Sequence, residues 1–202
     1  MTFRKALAEQ RWDDHRYYHH NRINQSLHLV SALAFLASYA LLFVSPAAAV
    51  LLAWLVAMPS RQIGHFFFEP HDYDQVNEAT HEHKEAVKVG YNLRRKTVLL
   101  SIWGLSPLFL LLDQNLGGMF APASGWVAVA DRVAAIWLAV AFGAVGFRTV
   151  QLFFLRDVQT GLVWATKILT DPFHDIKLYH RAPLQVLRGE WTESQSSHPL
   201  AS

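Results

Sequence analysis

The sequence predicts an all-α protein: an integral membrane helical bundle of about four transmembrane helices, with interfacial helices along its cytoplasmic side. Three observations carry this. Hydrophobic residues make up 52% and charged residues 17% of 202, a total only slightly above the soluble norm, but the apolar residues fall in blocks with the charges between them. Four such blocks reach or approach the length needed to cross a hydrocarbon core of about 30 Å at about 1.5 Å per residue. In the resulting topology 17 of the 18 Lys and Arg lie on one side, which the positive-inside rule identifies as cytoplasmic.

Residues 1–26 are polar, with Trp12, Tyr17 and Tyr18 suited to headgroup depth; they read as an amphipathic interfacial segment. Residues 27–44 form the first apolar run, and Ser45-Pro46 turns the chain. Ala47-Ala48-Ala49 is not read as a signal-peptidase site, because the polar region before it is too long for a signal-peptide n-region. The second run is apolar from Ala47 to Met58 and continues amphipathically to Phe68, with a kink expected at Pro59. Residues 70–97 are charged, and their Glu/Lys pairs predict a helix over Gln75–Lys88. The third run, 98–112, is short and interrupted by Gly104 and Pro107. A Gly/Pro/Asn loop covers 113–125, and the fourth run covers 126–155. Asp171-Pro172 reads as a helix start. The chain is expected to be a single membrane-embedded domain over 1–193, with a disordered tail over 194–202.

Both termini then face the cytoplasm, together with all eleven histidines. The formal charge of +2 is too small to argue for nucleic acid. The absence of cysteine excludes disulfides, Fe–S clusters and thiolate metal sites. No Gly-rich phosphate loop or GxSxG elbow is present, and Arg94-Arg95-Lys96 is explained by topology and anionic lipid. No internal repeat is evident. Any metal must use His, Asp, Glu, Asn or water, and the abundance of histidine is the compositional outlier.

Polar, metal-capable side chains at a membrane boundary cost free energy to bury, so they mark candidate sites. Tyr18–His28 (YHHNRINQSLH) is the densest such stretch. On a helix Asn21 and His28 lie within about 20° of each other, with Asn24 about 60° away and His20 about 80° away. His19 joins the same site only if the helix begins near Asn21. The structural alternative is that the asparagines cap the helix and His28 hydrogen-bonds at the interface. His65 and Glu69, at i and i+4, share a face; an ion pair at a helix end is the structural alternative. With His28 they offer two imidazoles and a carboxylate, the facial set of non-haem Fe(II) oxygenases, a donor set that Zn also accepts. Glu78, His81, Glu82, His83 and Glu85 lack HExxH spacing; His81 and His83 are weaker metal candidates beside a solvated helix face. His174, Asp175 and His180 could close the site from the C-terminal side. His71 and His198 carry little signal. His15-x3-His19-His20 resembles one histidine box of membrane di-iron enzymes, without a second box.

The combination Tyr18-His19-x-Asn21-x-x-Asn24-x-x-x-His28 and Gln62-Ile63-Gly64-His65-x-x-x-Glu69 resembles the yeast-type 2-hydroxy fatty acid (2-hydroxypalmitate) dioxygenase family, which has bacterial relatives. The resemblance covers roughly residues 15–112. This chain departs from the family pattern in the charged insertion after Glu69 and in its long fourth run. The resemblance implies an enzyme of sphingolipid and fatty acid α-oxidation: a membrane-bound, Fe(2+)-dependent dioxygenase. It would use O2 to shorten a 2-hydroxy fatty acid by one carbon, here in a bacterial inner membrane. His19, His28 and His65 would be ligands, and Glu69 a ligand or the partner that orients one. Asn21 and Asn24 would orient ligands or substrate, and Arg61 or Arg22 could pair with the substrate carboxylate. The alkyl chain would run past Phe66, Phe67 and Phe68. Two other readings stand beside it: a haem protein with axial His28 and His65, and a non-enzymatic membrane scaffold.

Overall fold

The computed structural model describes residues 1–69, 72–75, 77–122 and 124–193; the expected tail, with His198, and His71 lie outside them. Among the described residues the chain is all-helical: α1 (Phe3–Tyr18), α2 (Arg22–Leu41), α3 (Pro46–Leu52), a π-helical turn (Ala53–Ala57), α4 (Met58–Phe67), α5 (His81–Val87), α6 (Leu93–Leu105), a 3-10 segment (Ser106–Leu111), α7 (Gly125–Leu155), α8 (Val158–Tyr179) and α9 (Ala182–Leu187).

Local chemistry sets the boundaries. Asn21 caps α2, its side chain accepting from the Ile23 and Asn24 amides, and so separates α2 from α1 by a three-residue link. Ser45 caps α3 with Pro46 in the first turn, the turn expected there. Pro59 produces a π-helical turn before it. A proline crowds the carbonyl four residues back and offers it no N–H; here that carbonyl belongs to Leu55, inside the widened turn. The second run thus continues as one rod from Pro46 to Phe67.

Three expectations are corrected. The helix predicted over Gln75–Lys88 is only His81–Val87, because Asp74 and Ala79 pair their backbones across a tight turn and Thr80 caps α5 only beyond that turn. Gly104 sits inside α6 without breaking it; Pro107 instead marks the change to 3-10 geometry. Pro172 starts no helix: it lies inside α8. Asp171 is structural all the same, taking Lys167 Nζ at 2.6 Å and Arg11 Nε at 3.2 Å.

Among the described residues two rods are long and apolar enough to cross a membrane, Pro46–Phe67 and Gly125–Leu155, and only 28% and 17% of their apolar windows is buried. α2 packs on α4, α3 and α8, and α8 packs on α7 and α1. One end of the bundle is an apolar core of Val50, Trp54, Ala134 and Trp137. There the indoles of Trp54 and Trp103 stack at 5.5 Å, and each of Trp54 and Trp137 donates its N–H to a carbonyl, of Trp137 and Trp103. The buried Arg132, the one cation expected on the far side, donates to the carbonyls of Gln114, Ala121 and Ala128 and ties down the 113–122 loop. The polar end lies elsewhere: His65 is eleven residues beyond Trp54 on the same rod, about 16 Å along the axis.

Candidate metal centre

Three imidazoles converge at that polar end. His19 lies at the C-cap of α1, His28 two turns into α2 and His65 in the last turn of α4. All are buried, and one nitrogen from each lies within 4.8 Å of the others. His19 reaches the group because α1 stops at Tyr18 and α2 begins at Arg22, the condition that helix geometry set.

The hydrogen bonds fix which nitrogens face inward. His19 Nδ1 is 2.8 Å from the Asp14 carbonyl oxygen; a carbonyl only accepts, so Nδ1 carries the proton and Nε2 presents a lone pair. His65 Nδ1 donates to Glu69 Oε2 at 2.8 Å, leaving its Nε2 bare as well. His19 Nε2 faces His28 Nε2 at 3.1 Å. Ligands of one ion at bond lengths of about 2.1 Å stand about 3 Å apart, so this pair already has ligand spacing. His28 Nδ1 is buried without a hydrogen-bond partner, and the nearest carboxylate, Asp175, lies 3.8 Å away. Burial, and after it the proximity of His28, holds His19 well below the usual imidazole range, so it is neutral and able to ligate. Three neutral nitrogen donors without thiolate suit Fe(II), Zn(II) or a similar borderline cation. The arrangement fits a metal.

A ring of charges holds these imidazoles. Glu69 sits behind His65; its Oε1 takes Lys88 Nζ at 2.8 Å, and Lys96 Nζ lies 3.9 Å from Oε2. Asp175 accepts from Arg61 Nη2 at 2.8 Å. Against the cost of burial, Lys167 at 2.8 Å holds the Asp14 carboxyl well below the ordinary range and fixes the residue whose carbonyl orients His19. Tyr179 packs its ring 6.1 Å from His19 and 6.2 Å from His28.

The remaining expected residues have other placements. Asn21 is the α2 cap. Asn24 donates from Nδ2 to the Tyr18 carbonyl at 2.8 Å, and its Oδ1 is wedged against Gly64, where an added Cβ would lie 2.2 Å from it and 3.4 Å from His28 Cδ2. His20 faces Asp74 at 3.7 Å. His83 lies 3.3 Å from the Tyr17 hydroxyl, and His81 is exposed. His174 lines an outer groove with Leu7, Arg11 and Phe173, and the exposed His180 turns back to the Lys177 carbonyl. Of the C-terminal candidates only Asp175 approaches the cluster. Arg22 engages Gln25 and Glu193. The rings of His28 and His65 meet edge-on at 5.0 Å with His19 against both, which leaves no slot for a haem macrocycle between them. Sequence reasoning missed Tyr179, Lys88 and the Asp14 carbonyl. Tyr179 was findable, at i+4 from Asp175, had α8 been read through Pro172; a backbone carbonyl leaves no signal in residue types.

Residues 6–73, which contain all three histidines and Glu69, match the family model described as 2-hydroxy-palmitic acid dioxygenase Mpo1-like. No curated protein and no solved structure matches the chain.

Proposed function

From the match of residues 6–73 to the Mpo1-like family we propose that the chain is a member of that family and a membrane-bound, non-haem Fe(II) dioxygenase of 2-hydroxy fatty acids. The observation that carries the proposal is the inward-facing cluster of His19, His28 and His65, with Nε2 of His19 and His65 left bare by their other hydrogen bonds. Fe(II) held there would supply the redox chemistry that lets a closed-shell acid react with O2. For each 2-hydroxy acid, O2 accepts four electrons: the C1–C2 bond breaks, C1 leaves as CO2, C2 becomes the new carboxyl, and one water forms.

The chain's own residues prepare this chemistry. Glu69 and the Asp14 carbonyl keep two imidazoles in the ligating tautomer and orientation. Lys88 balances the Glu69 charge, so that it remains a hydrogen-bond acceptor behind His65. Arg61 adds positive potential near the cluster, which favours an acid substrate. Phe67, exposed at the end of the same rod, offers an apolar path for the alkyl chain.

The same proposal covers the membrane. Pro46–Phe67 and Gly125–Leu155 would be two of four spans, α2 and the α6–3-10 segment the others. α1 and α9 would lie at the cytoplasmic face of a bacterial inner membrane. The largely uncovered apolar surface of the two long rods supports this reading, because a soluble core helix would be mostly buried. The test is an anaerobic Fe(II) load followed by O2 and 2-hydroxypalmitate. Conversion to the fifteen-carbon acid, lost in H19A, H28A and H65A, is expected; turnover retained in any one of these would remove that residue from the centre.

A further inference from the structure

Beyond α9 the chain turns at Gly189, in the left-handed region at φ +82°, and runs back over the α1–α2 link. Arg22 N donates to the Trp191 carbonyl at 2.9 Å and Glu193 N to the His20 carbonyl at 2.8 Å, with Thr192 bridged to Asn21. This short strap sets the Glu193 side chain into a polar recess. Its Oε2 accepts from Gln25 Nε2 at 2.7 Å and Arg22 Nη1 at 3.3 Å, and lies 3.5 Å from His15 Nε2.

The recess is built independently of its occupant. Gln25 is fully buried; its amide oxygen takes Arg22 Nη1 at 2.7 Å, and its Nε2 also meets the His19 carbonyl, so the N–H group is aimed before any carboxylate arrives. His15 is buried and held through Nδ1 by the Tyr179 hydroxyl at 3.2 Å. Arg22 Nε is buried with no acceptor. A guanidinium is a planar fork that prefers two parallel bonds to both oxygens of a carboxylate. Glu193, tethered by the strap, uses one oxygen and leaves part of the fork idle. Trp191 on the strap is exposed, as are Leu184 and Leu187 on α9, the helix that leads into the strap and packs on α2, the kind of side chains that an interfacial segment lays among lipid headgroups.

We propose that Arg22, Gln25 and His15 form a second site, a cradle for the carboxylate of a long-chain fatty acid, which Glu193 fills until such an acid displaces it. The ligand is a carboxylate because one already sits there, donors surround it and the fork suits two oxygens. It is an amphiphile because the cradle opens beside apolar side chains. The site lies one side-chain layer outside the histidines, through Tyr179, where an acid would pause on entering or leaving. Its place at the membrane interface rests on the membrane reading above; the carboxylate chemistry does not rest on the metal.

The test is calorimetric titration of the full detergent-purified chain with palmitate, which lacks the 2-hydroxyl. E193Q keeps the size of the side chain and removes the competing charge, on a partly exposed strap where it cannot prevent folding. It should tighten palmitate binding at least about tenfold, since a charged competitor of the same donors is lost. R22M in the E193Q background should abolish binding, H65A should leave it intact, and acetate and methyl palmitate should not compete. Equal palmitate affinity in wild type and E193Q overturns the proposal, as does competition by acetate at the same concentration. Binding lost in H65A but kept in R22M would assign the acid to the histidine cluster, which overturns the second site and leaves the proposed activity standing. Palmitate binding that tightens in E193Q while Fe(II)-loaded wild type converts no 2-hydroxypalmitate would do the reverse.

Discussion

Gly64 is the point at which α4 touches the organising face of α2, and replacing it with alanine perturbs the site through a single carbon. The new Cβ would lie 2.2 Å from Asn24 Oδ1, 3.3 Å from its Cγ and 3.4 Å from His28 Cδ2. Asn24 is fully buried and held by its bond to the Tyr18 carbonyl, so relief requires about 1 Å of movement by a side chain with nowhere to go, or separation of the helices. Overpacking of this kind costs about 1–3 kcal/mol, and losing the amide bond adds about 1 kcal/mol. The helix propensity of alanine offsets at most about 1 kcal/mol. The net loss is roughly 1–3 kcal/mol, or several degrees of melting temperature at about 2–4 °C per kcal/mol. Because His28 must shift with Asn24, metal affinity should fall in the same variant. Gly104 is the control: it lies within α6 with nothing within 4 Å of an added Cβ, so G104A should gain up to about 1 kcal/mol. Thermal unfolding of both variants in detergent decides. A G64A protein as stable as wild type, with unchanged metal affinity, would refute the close α2–α4 contact from which the site is argued.

Further predictions rest on the groups around the imidazoles. E69Q should lower metal affinity about 10–100-fold, as loss of an orienting partner does, without abolishing binding; complete loss of metal would make Glu69 a ligand. H20A, H174A and H180A should each retain full metal content, because those rings face Asp74, the outer groove and the Lys177 carbonyl. K167M leaves Asp14 and Asp171 without their shared cation and should destabilise by about 3–5 kcal/mol; a change under about 1 kcal/mol, the scale of an exposed pair, would show the cluster to be solvated. The same pair sets an acid limit. The folded-state pKa of Asp14 is depressed, so its contribution is present above the ordinary carboxylate pKa of about 3.9 and is lost as pH falls through the depressed value. K167M should therefore flatten the wild-type decline in melting temperature at acid pH, and an unchanged profile would contradict the pairing.

The legible parts of this molecule were those written in side-chain periodicity. The rods Pro46–Phe67 and Gly125–Leu155 follow the apolar runs closely, and the i,i+4 spacing of His65 and Glu69 foretold their hydrogen bond. The Asn21 cap could be inferred as an alternative, and it is what admits His19. Helical angles paired His28 with His65 and Glu69 but could not place His19, which stands in the three-residue link; the structure sets Glu69 between His65 and Lys88 and brings His19 beside the other two imidazoles. α8 was divided at Pro172 because a proline after an aspartate reads as a start, whereas tertiary contacts of α8 with α2, α7 and α1 carry the helix through it. That division hid Tyr179 and the strap beyond α9. The pairing of Glu193 with Arg22 and Gln25 spans some 170 residues of chain, beyond the reach of any local pattern.

The decisive measurement is the metal content of detergent-purified wild type beside H65A, each loaded anaerobically with Fe(II) and washed. About one iron per chain is expected in wild type, at the single three-histidine cluster found among the described residues, with its loss in a folded H65A protein. Equal iron in both, or none in either, would contradict a metal centre built on His19, His28 and His65.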